Sequence, residues 1–177
     1  MRTKATALAV CATLLGLALA GCATENADPR AYAGTDSGET LDEILERYRL
    51  TLPSCEVEDL RFTGKAKELG MNLRLRFEAP EDCVNAYLDK YGVDRERALR
   101  WPFPASTVNG KEFSPTRPPF PDNAMKTFSE LKLDPKKTYD FHHRFKTPTK
   151  ATFDVLVVPE GGEQRAVYLV STYNGNI

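Results

Sequence analysis

From Thr40 onward, apolar and polar positions recur with two different periods. Leu41, Ile44, Leu45 and Tyr48 follow the i, i+3, i+4, i+7 stripe of an amphipathic helix, and Thr40 with Glu43 makes a capping box at its start. Pro53 is expected to end that helix. Two alternating runs come next. In "VEDLRFT", Leu60 and Phe62 oppose Asp59, Arg61 and Thr63; in "MNLRLRFE", Met71, Leu73, Leu75 and Phe77 oppose Asn72, Arg74 and Arg76. Period-two alternation predicts paired strands with one face buried and one wet. "GKAKELG" would join them as a hairpin, and charge complementarity favours Asp59 opposite Arg74 and Arg61 opposite Asn72.

"APEDCVNAYLDKYG" reads as a second helix. Pro80, Glu81 and Asp82 suit its first turn, Val84, Tyr87, Leu88 and Tyr91 its apolar stripe, and Gly92 its exit. A short turn is expected in "DRERALR". Six of the twelve prolines then fall between Trp101 and Pro121, which predicts an extended, polyproline-like connection. Asp122 or Asn123 would cap a third helix carrying Met125, Phe128 and Leu131. "TYDFHHRFK", "ATFDVLVV" and "RAVYLVSTY" are aromatic and β-branched, with "PEGGEQ" as a turn, and predict a three-stranded meander. Strands grouped in runs point to an α+β fold: one antiparallel sheet of about five strands, with two to three helices on one face. Residues 40–177, 138 in number, are enough for a single domain with its own core.

The first forty residues follow neither period. Arg2 and Lys4 precede an uncharged core, Leu8 to Ala20, of the length and layout of a secretory signal. An uncleaved anchor is disfavoured by Thr6, Thr13, Gly16 and the many alanines, and no basic cluster follows to stop transfer. Two cleavage readings remain. Ala18-Leu19-Ala20 fits ordinary signal peptidase, which would leave Cys22, Cys55 and Cys83 in the exported chain, an odd number with one free thiol. Leu19-Ala20-Gly21-Cys22 instead resembles the lipobox of bacterial lipoproteins. That resemblance implies a diacylglycerol on Cys22 and cleavage before it, and it consumes the odd cysteine. Cys55 and Cys83 are then an even pair without Cys-x-x-Cys spacing or a nearby histidine. In an exported chain this favours one structural disulfide over a zinc or redox site.

The expected organisation is therefore a signal over 1–21, a lipidated Cys22 with a flexible tether to 39, and the domain from 40. The signal and lipobox resemble those of many small lipoproteins of high-GC Gram-positive bacteria. Such a resemblance implies a cell-membrane location, lipid-anchored on the extracytoplasmic face. Two acyl chains give stable anchoring on their own. The charge of the whole chain is −1, and loss of Arg2 and Lys4 makes it −3, so attraction to an anionic bilayer is not expected.

Candidate chemistry is sparse. Adjacent histidines on a strand face opposite ways, so His142 and His143 would not share a metal. Tyr139, Phe141, His143 and Phe145 would share one face, leaving Asp140 and His142 on the wet one as weak candidates for an acid–base pair. No serine or cysteine is marked as their nucleophile. There is no Gly-rich phosphate loop and no calcium-loop spacing, so no cofactor or metal is expected; without a basic excess, no nucleic acid is expected either. Arg61, Arg74 and Arg76 form a candidate surface for an anionic polymer or an acidic envelope protein. Trp101, Phe103 and Phe120 are a candidate recognition surface, or else pin a long loop to the core. The leading expectation is a non-enzymatic binding or accessory module at the cell envelope. The alternative is a small envelope hydrolase using His142 and Asp140.

Overall fold

The computed structural model describes residues 28–33, 35, 38–64, 73–173 and 175, apart from the side chain of Arg144. The expected signal, Cys22, Met71, Asn72 and most of the first hairpin turn lie outside the described residues. None of the described helices is long and apolar enough to cross a membrane.

Helix α1 (Leu41–Tyr48) begins with the expected capping box: Thr40 Oγ1 accepts from the Glu43 amide at 3.3 Å, and the Thr40 amide donates to Glu43 at 2.8 Å. Its stripe of Leu41, Ile44, Leu45 and Tyr48 is buried. The helix stops well before Pro53. Arg49 takes the left-handed conformation (φ 49°), and its amide and that of Leu50 satisfy the last carbonyls.

Strands β1 (Glu58–Thr63) and β2 (Arg74–Pro80) pair antiparallel, but not in the expected register. Arg61 stands opposite Arg76 and Thr63 opposite Arg74, with a bulge between Glu58 and Arg61. Asp59 sits in that bulge at φ 41° and turns its carboxylate onto Arg76. The opposite charges thus meet diagonally through the bulge, a solution that straight cross-strand pairing does not contain.

Helix α2 (Glu81–Lys90) and a 3-10 turn (Arg95–Arg97), capped by Asp94, follow as expected. The proline-rich segment holds more structure than expected. It contains β3 (Leu99–Trp101) and a small hairpin, β4 (Ser106–Val108) and β5 (Lys111–Phe113). The hairpin turns on Asn109-Gly110, both with positive φ (52° and 77°), the combination that a two-residue hairpin favours. Helix α3 (Asp122–Thr127) is shorter than expected and begins after Pro121 with no side-chain cap. The last three strands, β6 (Tyr139–Lys146), β7 (Thr152–Gly161) and β8 (Gln164–Tyr173), form the expected meander.

The main sheet has six strands in the order β1-β2-β8-β7-β6-β3, all neighbours antiparallel. The fold is therefore α+β, and the Cys55–Cys83 disulfide forms, tying the approach to β1 to the first turn of α2. The expectation of one wet face does not hold. Helices α1 and α2 cover one face of the sheet with Phe77, Val155, Val167 and Leu169. On the other, Trp101, Phe103, Phe120, Phe128 and Leu131 cover Leu156, Tyr168 and Val170. Alternate residues of β7 and β8 thus point into two different cores.

The expected tether is not free over its second half. The amide of Phe62 donates to the Arg30 carbonyl (3.0 Å) and that of Tyr32 to the Phe62 carbonyl (2.9 Å), so Ala31 bridges the outer edge of β1 in parallel. Asp28 has a side chain only 4 % exposed, pairs with Arg30 at 2.7 Å, and accepts from the Leu41 amide at 2.9 Å. The ring of Tyr32 meets Phe128 at 6.0 Å, and its hydroxyl donates to Glu130 at 2.7 Å. Asp28, Arg30, Ala31 and Tyr32 are thus part of the fold.

Candidate functional site

A cleft of about 620 Å³ opens between α2, the 3-10 turn and the β3–β6 edge of the sheet. Its apolar floor comes from Val84 and Leu88 of α2, Val93, and Val157 of β7. Val84 and Leu88 are buried in the first core, and Val93 and Val157 are partly buried at its margin, where α2 ends and the chain turns through Gly92 (φ 68°). The walls are charged. Glu81 pairs with Arg165, Asp89 with Arg95 at 3.0 Å, and Asp140 with Arg100, its register partner across β3 and β6. Glu96 and Asp94 complete the rim.

His142 lines this cleft and is only 5 % exposed, with no hydrogen bond to any described residue. It also lines a smaller recess of about 190 Å³ beside Leu99 and Phe145. Burial holds its pKa below the ordinary histidine value; the Asp140 carboxylate pulls the other way, and Arg100 and Arg95 add to the lowering. At neutral pH the ring is uncharged and offers one donor and one acceptor.

Asp140 and His142 do share a face of β6, as the alternation implies, and both line the cleft. They are not hydrogen-bonded to each other. The carboxylate of Asp140 is held by Arg100, so it does not orient the imidazole as a dyad would. Nor do the described lining residues include a serine, threonine, cysteine, lysine or tyrosine to act as nucleophile. Among the described residues, no group of three or more His, Cys, Asp or Glu side chains is placed to hold a metal ion.

The remaining expectations fall differently. His143 is half-exposed; its Nδ1 lies 3.0 Å from Asp154, and its ring meets Phe141 edge-on at 4.6 Å. A bulge between His142 and Phe145 breaks the alternation, sending Phe145 into the first core while Tyr139 and Phe141 stay in the second. Comparisons with protein-family models, curated proteins and solved structures give no match. Geometry alone therefore bears on function.

The arginines of the first hairpin do not form an open basic surface. Arg61 is exposed but lies 3.5 Å from Asp59. Arg74 is half-buried and donates to Thr127 at 3.3 Å. Arg76 is 5 % exposed, enclosed by Asp59, Glu78 and Tyr168, with Glu130 at 3.6 Å. Trp101, Phe103 and Phe120 are buried against Tyr139, Phe141 and Phe128, so their rings pin the segment to the sheet and present no surface to a partner. The residues that sequence reasoning missed, Glu81, Asp89, Arg95, Arg100 and Arg165, come from four elements and share no local motif. Their only sequence signal was the charge run "DRER" after α2.

Proposed function

We propose that this chain is a membrane-anchored extracytoplasmic lipoprotein whose domain is a non-enzymatic binding module, with the cleft beside β6 as its recognition site. The observation that carries the reading is the cleft itself, lined by a His142 that is 5 % exposed and has no hydrogen bond among the described residues. A volume of about 620 Å³ falls in the range of small-molecule sites, and a lining that is mostly charged suits a polar ligand. The paired guanidiniums and carboxylates keep spare donors and acceptors for a polar ligand. Anchoring through Cys22 would hold the module at the envelope, where its partner is met at high local concentration.

A photo-cross-linker placed at Glu96 on intact cells should yield a specific adduct that the same group at Lys126, on α3, does not. Identical capture at both sites, or none under several growth conditions, would count against the cleft. The hydrolase reading keeps one observation in its favour, an imidazole lining a cleft. For that reading, His142→Ala must abolish an envelope phenotype while the variant still folds, as judged by its circular dichroism spectrum, and a fully active variant ends it.

A further inference from the structure

We infer that the cleft takes a small organic amine, a protonated primary ammonium carried on a short apolar body. This deepens the binding reading and rests on it. Among the described residues, the lining holds five carboxylates, Glu81, Asp89, Asp94, Glu96 and Asp140, against three guanidiniums, Arg95, Arg100 and Arg165. The guanidiniums are already committed. Arg95 forks onto Asp89 (3.0 and 3.3 Å), and Arg100 is held by Asp140. Arg165 donates to Glu81 and to the carbonyls of Gly162 (3.2 Å) and Gln164 (2.9 Å). Asp94 has Arg97 at 3.2 Å, whose side chain is not part of the lining, and Glu96 has no ion pair among the described residues. An anion would have to break an existing pair inside a lining with surplus negative charge. A cation need break none.

An acidic wall alone names no ligand. The second observation is His142, which lines the cleft, is 5 % exposed and makes no hydrogen bond among the described residues. A buried polar group left unpaired is costly, so a ligand N–H that reaches this ring recovers that cost. The uncharged imidazole offers one acceptor nitrogen, which an ammonium N–H fills. A quaternary ammonium fails on two counts. It has no N–H, and no phenylalanine, tyrosine or tryptophan is among the described lining residues to cage it. Val84, Leu88, Val93 and Val157 supply an apolar floor for the body of the amine.

The test titrates n-butylammonium into the full-length protein in detergent micelles and follows the histidine rings by carbon–proton NMR. The chain has two histidines, so a His143→Gln sample assigns both signals. In the native chain His143, which does not line the cleft, is the internal control. Two probes with the same body separate the alternatives: n-butyltrimethylammonium keeps the charge without the N–H, and pentanoate reverses the charge. The His142 signal should move saturably with n-butylammonium, at least about tenfold more weakly with the quaternary ion, and not at all with pentanoate. Glu96→Gln, at an exposed position, should raise the half-saturating concentration about three- to tenfold. Saturable movement with pentanoate, or equal affinity for the quaternary ion, would overturn the amine while leaving the cleft a binding site. An unchanged half-saturating concentration in Glu96→Gln would overturn the charge argument in the same way. No movement of His142 with any probe would also overturn the amine, and the cross-linking at Glu96 decides separately whether the cleft binds a partner.

Discussion

At the scale of single residues, two buried ionisable groups carry opposite lessons. Arg76 is a charge taken into the sheet and matched there by Asp59, Glu78 and the Tyr168 hydroxyl, whose ring also lies 5.6 Å from the guanidinium. Arg76→Met removes charge-assisted bonds worth about 2 kcal/mol in total and leaves the Asp59 and Glu78 carboxylates without that guanidinium. The exposed Arg61→Ala should cost under about 0.5 kcal/mol, and urea midpoints of the two variants measure the contrast. His142 is buried without a hydrogen bond among the described residues, and its lowered pKa has a definite consequence. In the unfolded chain it takes up a proton near its ordinary value of 6.5, whereas the folded state resists protonation to lower pH. The unfolded state therefore binds more protons in that window, and stability falls as pH drops from 6.5 through the folded value. Asp140, Arg100 and Arg95 face the ring and set how far the window extends. Melting temperature scanned from pH 7 to 5 should fall for the native protein and flatten over that range for His142→Gln. Asp28, held well below the ordinary carboxylate range chiefly by Arg30, destabilises the fold only below pH 3.8, so the two effects separate.

At the scale of elements, local signals proved readable wherever one side chain closes on its own neighbourhood. The capping box of α1 and the stripes of α1 and α2 depend on contacts a few residues apart, and the final meander on strands that follow one another in sequence. What could not be read needed a partner distant in sequence. The register of β1 and β2 turns on a bulge that feeds Asp59 to Arg76, and Phe145 changes cores because of a bulge in β6. The hairpin at Asn109-Gly110 was legible in "STVNGKEF", but the surrounding prolines masked it. The arm at 28–33 has a composition typical of a linker, and only Tyr32 among its residues hints at docking. Starting the chain at Thr40 removes the Asp28 cap, the Ala31 bridge and the Tyr32 contacts, and should cost roughly 2–3 kcal/mol of unfolding free energy relative to a chain begun at Asp28. Replacing both Cys55 and Cys83 by serine opens a loop of 29 residues and should lower stability by up to about 3.6 kcal/mol on the chain-entropy estimate, read from denaturant titration of the oxidised protein.

At the scale of the molecule, the class of fold followed from the grouping of strands, while the thickness of its layers did not. The run from Trp101 to Pro121 reads as a connection because its prolines interrupt every period, yet its Trp101, Phe103 and Phe120 join α3 in covering the second sheet face. The same distance in sequence hid the cleft, whose charged walls come from α2, the 3-10 turn, β3, β6 and β8. Only the β6 contribution, His142 with Asp140, stood out in advance; the structure buries His142 where a wet face was expected and pairs the carboxylate with Arg100.

A strand covered on both sides has no forgiving positions. Leu156 and Val155 lie in different cores, as do Tyr168 and Leu169, and all four are at most 2 % exposed. In a saturation scan scored by surface display or protease survival, aspartate should therefore be rejected at 155 and 156 alike, and at 168 and 169 alike. The every-second-residue tolerance that marks a sheet floating on one layer of helices should be missing from the middle of this one.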